Sequence, residues 1–107
     1  MTSTITGLIK KAIKNHSQLK ITYEGDSPST FRIINPYYVG VLGDTRQLHA
    51  FQQSGYSQSG ESTEWKNFHI AKIITIFLLT STFHLDHGYN PDPTENSYSD
   101  IETKIEL

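Results

Sequence analysis

The chain contains no cysteine. Disulfide frameworks, thiol nucleophiles and cysteine-based zinc sites are thereby excluded, and the usage fits a reducing, cytoplasmic setting. Long apolar runs are missing too: the most apolar stretch, Ile70 to Leu79, is about half of what a membrane-spanning helix needs. The N-terminal MTSTITGLIKK has no basic segment leading into a long apolar one, so neither a targeting leader nor a membrane segment is expected. Gly40-Val41-Leu42-Gly43 reads as a turn and lacks the lysine of a phosphate-binding loop. The serines cluster in loops without a strand-turn-helix elbow, which excludes an activated serine nucleophile of that type. Histidines are present, with His84 and His87 close together and His49 and His69 on neighbouring strands, but at no spacing known for a metal helix or finger. The expectation is a protein that is not an enzyme and holds no metal or other cofactor.

What remains is an ordinary globular composition. The 107 residues, 36% hydrophobic and 19% charged, suffice for one domain with a single core. The net charge of −2 conceals an asymmetry: residues 1–85 carry +3 and residues 86–107 carry −5. A basic body this weak does not suggest a dedicated duplex-DNA binder.

Periodicity places the elements. Ile5, Leu8, Ile9, Ala12 and Ile13 form a helical stripe opposite Lys10, Lys11 and Lys14, predicting an amphipathic helix capped near Thr4 or Thr6 and ending around His16. The period then drops to two. Leu19, Ile21 and Tyr23 alternate with polar residues as a half-buried strand, and Gly25-Asp26-Ser27-Pro28-Ser29 is a turn. A second strand runs from Thr30 to Val39, with Arg32 and Ile34 on one face and Phe31, Ile33 and Asn35 on the other; Pro36 should bend it or mark an edge. Gly43-Asp44 predicts a hairpin turn. Two further strands, Gln47 to Gln53 and Trp65 to Ile70, flank the polar loop Ser54 to Glu64. A fifth, Ile73 to Leu79, is apolar on both faces: Ile73, Phe77 and Leu79 point one way, Ile74, Ile76 and Leu78 the other, and the second face is expected against the helix. Residues 86–107 read as an acidic tail or arm with its last ten residues frayed, and Tyr89 to Pro93 is expected to lie against the body. The fold class is therefore mainly β (α+β): an N-terminal helix, then a five-stranded, strongly bent antiparallel sheet over residues 1–85.

That order resembles an Sm-like or SH3-like small barrel. Several strings are similar to the WYL domain, a bacterial regulatory module named for a Trp-Tyr-Leu run. Ala12-Ile13 followed by Leu19, Ile21 and Tyr23, then Arg32 before Pro36-Tyr37, and finally Lys66, Phe68, Lys72 and Ile73 reproduce the family's spacing. Phe51-Gln52-Gln53-Ser54-Gly55-Tyr56-Ser57, Trp65-Lys66 and Tyr89-Asn90-Pro91 resemble strings of small WYL-like proteins. The namesake is absent: with Ala50-Phe51 aligned, Arg46-Gln47-Leu48 stands where Trp-Tyr-Leu would, so the resemblance is to a divergent, stand-alone branch. It covers roughly residues 8–91. It implies ligand sensing in transcription regulation or phage defence, through basic and aromatic residues. The roughly eighteen residues before Leu19 allow one helix and no helix-turn-helix pair.

The expected ligand residues follow. Arg32, Lys66 and Lys72 would meet an anion, Arg as a fork and Lys as a point charge. Tyr23, Tyr37 and Trp65 would stack bases, and Gln52, Tyr56 and Ser57 would hydrogen-bond a ligand from the hairpin. The expected partner is a nucleotide or single-stranded nucleic acid. The competing expectation is a homodimer or partner protein, contacted through the two-sided strand Ile73 to Leu79 and the acidic tail.

Overall fold

The computed structural model describes residues 2–58, 60, 64–85 and 96–106. His87 and Tyr89 to Pro93 therefore lie outside the described residues, as does much of the loop between Ser54 and Glu64.

Helix α1 (Thr2–Asn15) buries Ile9, Ala12 and Ile13 and leaves Lys10, Lys11 and Lys14 facing out. It starts ahead of the expected caps, and the Thr6 hydroxyl instead accepts a hydrogen bond from Arg46 at 2.9 Å. The helix ends where His16 turns into the left-handed region (φ 55°), the conformation that closes many helices. Five strands follow: β1 (Ser17–Tyr23), β2 (Arg32–Leu42), β3 (Thr45–Gly55), β4 (Glu64–His69) and β5 (Ile73–Thr82), the last reached through the 3-10 turn Ile70–Lys72. Their antiparallel order is β4-β3-β2-β1-β5, so the small barrel with its N-terminal helix stands as expected.

A sixth strand adds to it. β6 (Tyr98–Lys104) comes from the acidic segment and pairs with β2, opposite Tyr38 to Leu42. Residues expected to fray are held because Tyr98 and Ile105 are 2% and 1% exposed and Glu102 forms an ion pair with Arg46. Ile105 also donates its backbone N–H to Tyr37 O at 2.7 Å. Along the same side, β2 pairs with β1 at residues 32–34 and with β6 from Tyr38 onward. Pro36 sits between the two partners and at a bulge, where a missing N–H interrupts least. The crossing of β6 over β2 needs Gly40, since a Cβ there would stand 2.8 Å from Ser99 O.

The faces of β5 differ from the alternation expected. Tyr23 pairs with Ile73 but Thr22 with Thr75, so Ile74 is an extra residue and the pattern slips by one. Ile73 is buried and Ile76 and Leu78 pack against the core with it, whereas Ile74 (62% exposed) and Phe77 (58%) face solvent. α1 packs on β5 and β1, and this leaves those two side chains uncovered.

Candidate ligand-binding site

At one end of the barrel a cavity of about 310 Å³ is lined by Tyr23, Arg32, Ser57, Gln58, Lys66, Asn67 and Phe68. Register brings them together. Arg32 stands opposite Ile21 and projects to the inner side of β2, while Lys66 and Phe68 lie opposite Ala50 and Leu48 on β4. Gly55 lets β3 end against β2, because a Cβ there would fall 2.8 Å from Arg32 Cα, and the chain then turns so that Ser57 and Gln58 reach the cavity.

Arg32 is 4% exposed and fully engaged. Its Nε and Nη2 donate to Asp26 Oδ2 and Oδ1, each at 2.8 Å, and its Nη1 donates to Gln52 Oε1 at 3.1 Å. The guanidinium also lies about 5.5 Å from the ring centres of Tyr23 and Phe68, in cation-π range. Gln58 gives Asp26 Oδ1 a further hydrogen bond at 2.7 Å. Burial acts to raise the Asp26 carboxyl, but the hydrogen bonds from Arg32 and Gln58 and the charges of Arg32 and Lys66 outweigh it and hold the group below the ordinary carboxylate range. Lys66 donates to Glu64 Oε1 at 2.8 Å and to Ser57 Oγ at 3.1 Å. The two cations of the cavity thus each meet a carboxylate, and the site presents donors without surplus charge.

The sequence-derived residues separate into groups. Arg32, Lys66 and Tyr23 share the cavity. Tyr23 is half-buried, edge-on to Phe68, and its hydroxyl accepts the His69 N–H at 2.8 Å. Gln52 and Tyr56 stand behind the cavity: Gln52 is fully buried between Arg32 and the Tyr56 carbonyl, to which it donates at 2.8 Å. Lys72 belongs elsewhere, exposed on the 3-10 turn. Tyr37 is wholly buried in the core, so it offers no face to a base. Trp65 is half-buried with one face stacked on His49, their rings 5.0 Å apart and 8° from parallel. Sequence reasoning missed Asp26, whose only signal was an acid in the turn preceding Arg32. Among the described residues no group of three or more metal-ligating side chains occurs.

No protein-family model matches the chain, and no curated protein does. A solved structure shares its fold. Proteasome accessory factor B/C (PafBC) of Arthrobacter aurescens is similar over 88% of this chain with a TM-score of 0.64 at 16% identity. The chain spans only 14% of the length of that protein. At this identity the likeness shows the fold alone, in agreement with the WYL-like small barrel that the sequence resemblance implied.

Beside the cavity, Trp65, His49 and Tyr38 form a column of rings, with Tyr98 edge-on to both His49 and Tyr38. Asn67 Oδ1 lies 2.7 Å from His49 Nδ1 and accepts the Tyr98 hydroxyl at 2.8 Å. This geometry assigns the His49 proton to Nδ1. Burial lowers the His49 pKa from its ordinary 6.5, only partly offset by the Asn67 hydrogen bond. The folded state therefore binds this proton less readily than the unfolded chain, and its stability falls as pH drops through the ordinary histidine range. Denaturation midpoints measured at pH 7.5 and 5 should show a loss on acidification that is smaller in His49→Gln.

Proposed function

We propose that the chain is a non-enzymatic, WYL-type ligand-sensing module whose end cavity binds a nucleotide or a short single-stranded nucleic acid. The observation that supports it is the meeting of Tyr23, Arg32, Ser57, Lys66 and Phe68 in one cavity, which sets two aromatic rings beside two cations that are each paired with a carboxylate. Its volume is at the lower end of small-molecule sites. Lys66 would supply the first phosphate contact by exchanging Glu64 for the ligand, and the Arg32 fork would hold its geometry behind it. That the protein sharing the fold is named an accessory factor agrees with a role in support of other machinery. In titrations of mononucleotides and short DNA and RNA oligomers, binding is expected at low salt and should weaken as salt rises. Absence of binding across all three classes at low salt would overturn the reading.

A second reading, a protein-interaction module, draws on one specific observation. β5 is the last strand of its path, and Ile74 and Phe77 stand exposed on it. If that surface joins subunits, light scattering will show a concentration-dependent increase in mass that Phe77→Asp removes. A monomer at high concentration rejects it.

A further inference from the structure

A cavity of about 310 Å³ cannot enclose a strand, so most of a bound strand has to pass over the outside of the barrel. The way out leads onto the outer face of β5, β1 and β2. Arg32 turns into the barrel, so its neighbour Phe31 turns outward, one residue ahead of β2 and 42% exposed. Phe31 O accepts the Tyr56 N–H at 2.9 Å, which ties it to the turn that brings Ser57 and Gln58 to the cavity.

On that face Lys20 stands opposite Ile33 of β2 and Phe77 of β5, and diagonal to Phe31. Phe77 is 58% exposed, and the Lys20 ammonium lies 4.3 Å from the centre of the Phe31 ring. Two exposed rings therefore flank one cation. Lys20 has no ion pair among the described residues. The rows beside it are neutral. On one side Thr22 and Thr75 share a hydrogen bond of 2.6 Å; on the other Ser81 donates to Gln18, Gln18 to Asn35 and Asn35 to Gln53, at 2.8, 2.9 and 3.2 Å. The nearest acid along β1, Glu24, lies beyond the strand's end at Tyr23. A face with two open rings, an unpaired cation and no carboxylate fits an anionic partner that carries rings. An apolar protein surface, a second copy of this one included, would bury Lys20 without a counter-charge.

We infer that this face is a stacking platform for single-stranded nucleic acid, on which Phe31 and Phe77 each take a base and Lys20 takes a phosphate between them. The inference rests on the barrel-end reading for where the strand begins, and it makes the ligand a strand rather than a free nucleotide. Stacking on aromatic rings accepts any base, and a lysine on a flexible stem can leave the Phe31 ring for a phosphate without a fixed planar geometry.

The affinities of thymidine monophosphate and of a thymidine octamer for the full chain, at one low salt concentration, test the inference. Phe31→Ala and Phe77→Ala should each weaken the octamer at least about fivefold and change the monophosphate less than about twofold. Both side chains are exposed, so the denaturation midpoints should not move. Phe77→Tyr should keep the octamer affinity and Phe77→Leu should lose it, because leucine keeps an apolar surface without a ring. Octamer binding that is unchanged in Phe31→Ala and Phe77→Ala overturns the platform and leaves the cavity reading standing; no binding of either ligand overturns both. Octamer binding that is lost in these two variants but not in Lys66→Ala, with no binding of the monophosphate, upholds the platform and overturns the cavity reading alone. A mass that rises with concentration and is restored to that of one chain by Phe77→Ala puts a second copy on the face and also overturns the inference.

Discussion

Arg32→Ala is expected to destabilise the protein by about 3–5 kcal/mol, the range for breaking a buried ion pair from one side. Both partners are nearly inaccessible, their side chains 5% and 3% exposed, and the pair is a fork with two hydrogen bonds of 2.8 Å. Removing the guanidinium leaves the Asp26 carboxylate with only its Gln58 hydrogen bond and also empties the Gln52 Oε1 contact. Chemical denaturation with and without Asp26→Ala provides the check: the double variant should cost less than the sum of the two single ones. The pH dependence carries a second signature. In the wild type the folded-state pKa of Asp26 lies below its unfolded value, so the pair stabilises above the ordinary carboxylate range and that contribution is lost as pH falls through the folded value. Without Arg32, burial is opposed only by the Gln58 hydrogen bond and the Lys66 charge, so the carboxyl is held down less and acidification to about pH 4 should narrow the deficit. A variant within about 0.5 kcal/mol of wild type would show that the pair is not buried in solution.

Tyr98→Ala should cost about as much, 3–5 kcal/mol by analogy with other buried aromatic truncations. Tyr98 is 2% exposed, packs edge-on against Tyr38 and His49, and is the first residue of β6. Its hydroxyl is buried, which pushes its pKa up, and donates to Asn67. Tyr98→Phe separates the two contributions: it keeps the ring and should cost about 1–3 kcal/mol for the acceptor left short of a partner. If Tyr98→Ala leaves the denaturation midpoint unchanged, the C-terminal segment is an appendage rather than a sixth strand.

These two residues also mark the limits of reading the chain without its structure. The alternation of Leu19, Ile21 and Tyr23, the helical stripe ending at Ile13 and the Gly43-Asp44 turn are local patterns, and each appears in its expected place. β6 is not local. YSDIETK is mostly polar, its Ile101 is 36% exposed, and it pairs only because β2 presents a hydrogen-bonding edge past Pro36. The single extra residue at Ile74 is equally invisible, yet it decides which side of β5 meets the core. Of the residues expected to meet a ligand, Tyr23, Arg32 and Lys66 do come together at the cavity. The acid that neutralises Arg32 lies in a turn whose path no periodicity describes, and the bulge between Pro36 and Tyr38 places Tyr37 inside the core. Lys72 shares the sequence spacing but sits on a 3-10 turn that holds it outside the cavity.

The central claim is that the barrel-end cavity, and not diffuse surface charge, receives the nucleotide or strand. Lys66 and Lys72 carry the same charge, but only Lys66 lines the cavity, its side chain 12% exposed. The decisive measurement is the affinity of a short single-stranded oligonucleotide for Lys66→Ala and Lys72→Ala at one low salt concentration. The account predicts a loss of at least about tenfold for Lys66→Ala, the scale of one charge-assisted contact, and less than about twofold for Lys72→Ala. Equal losses from the two variants, or no loss from either, would contradict it.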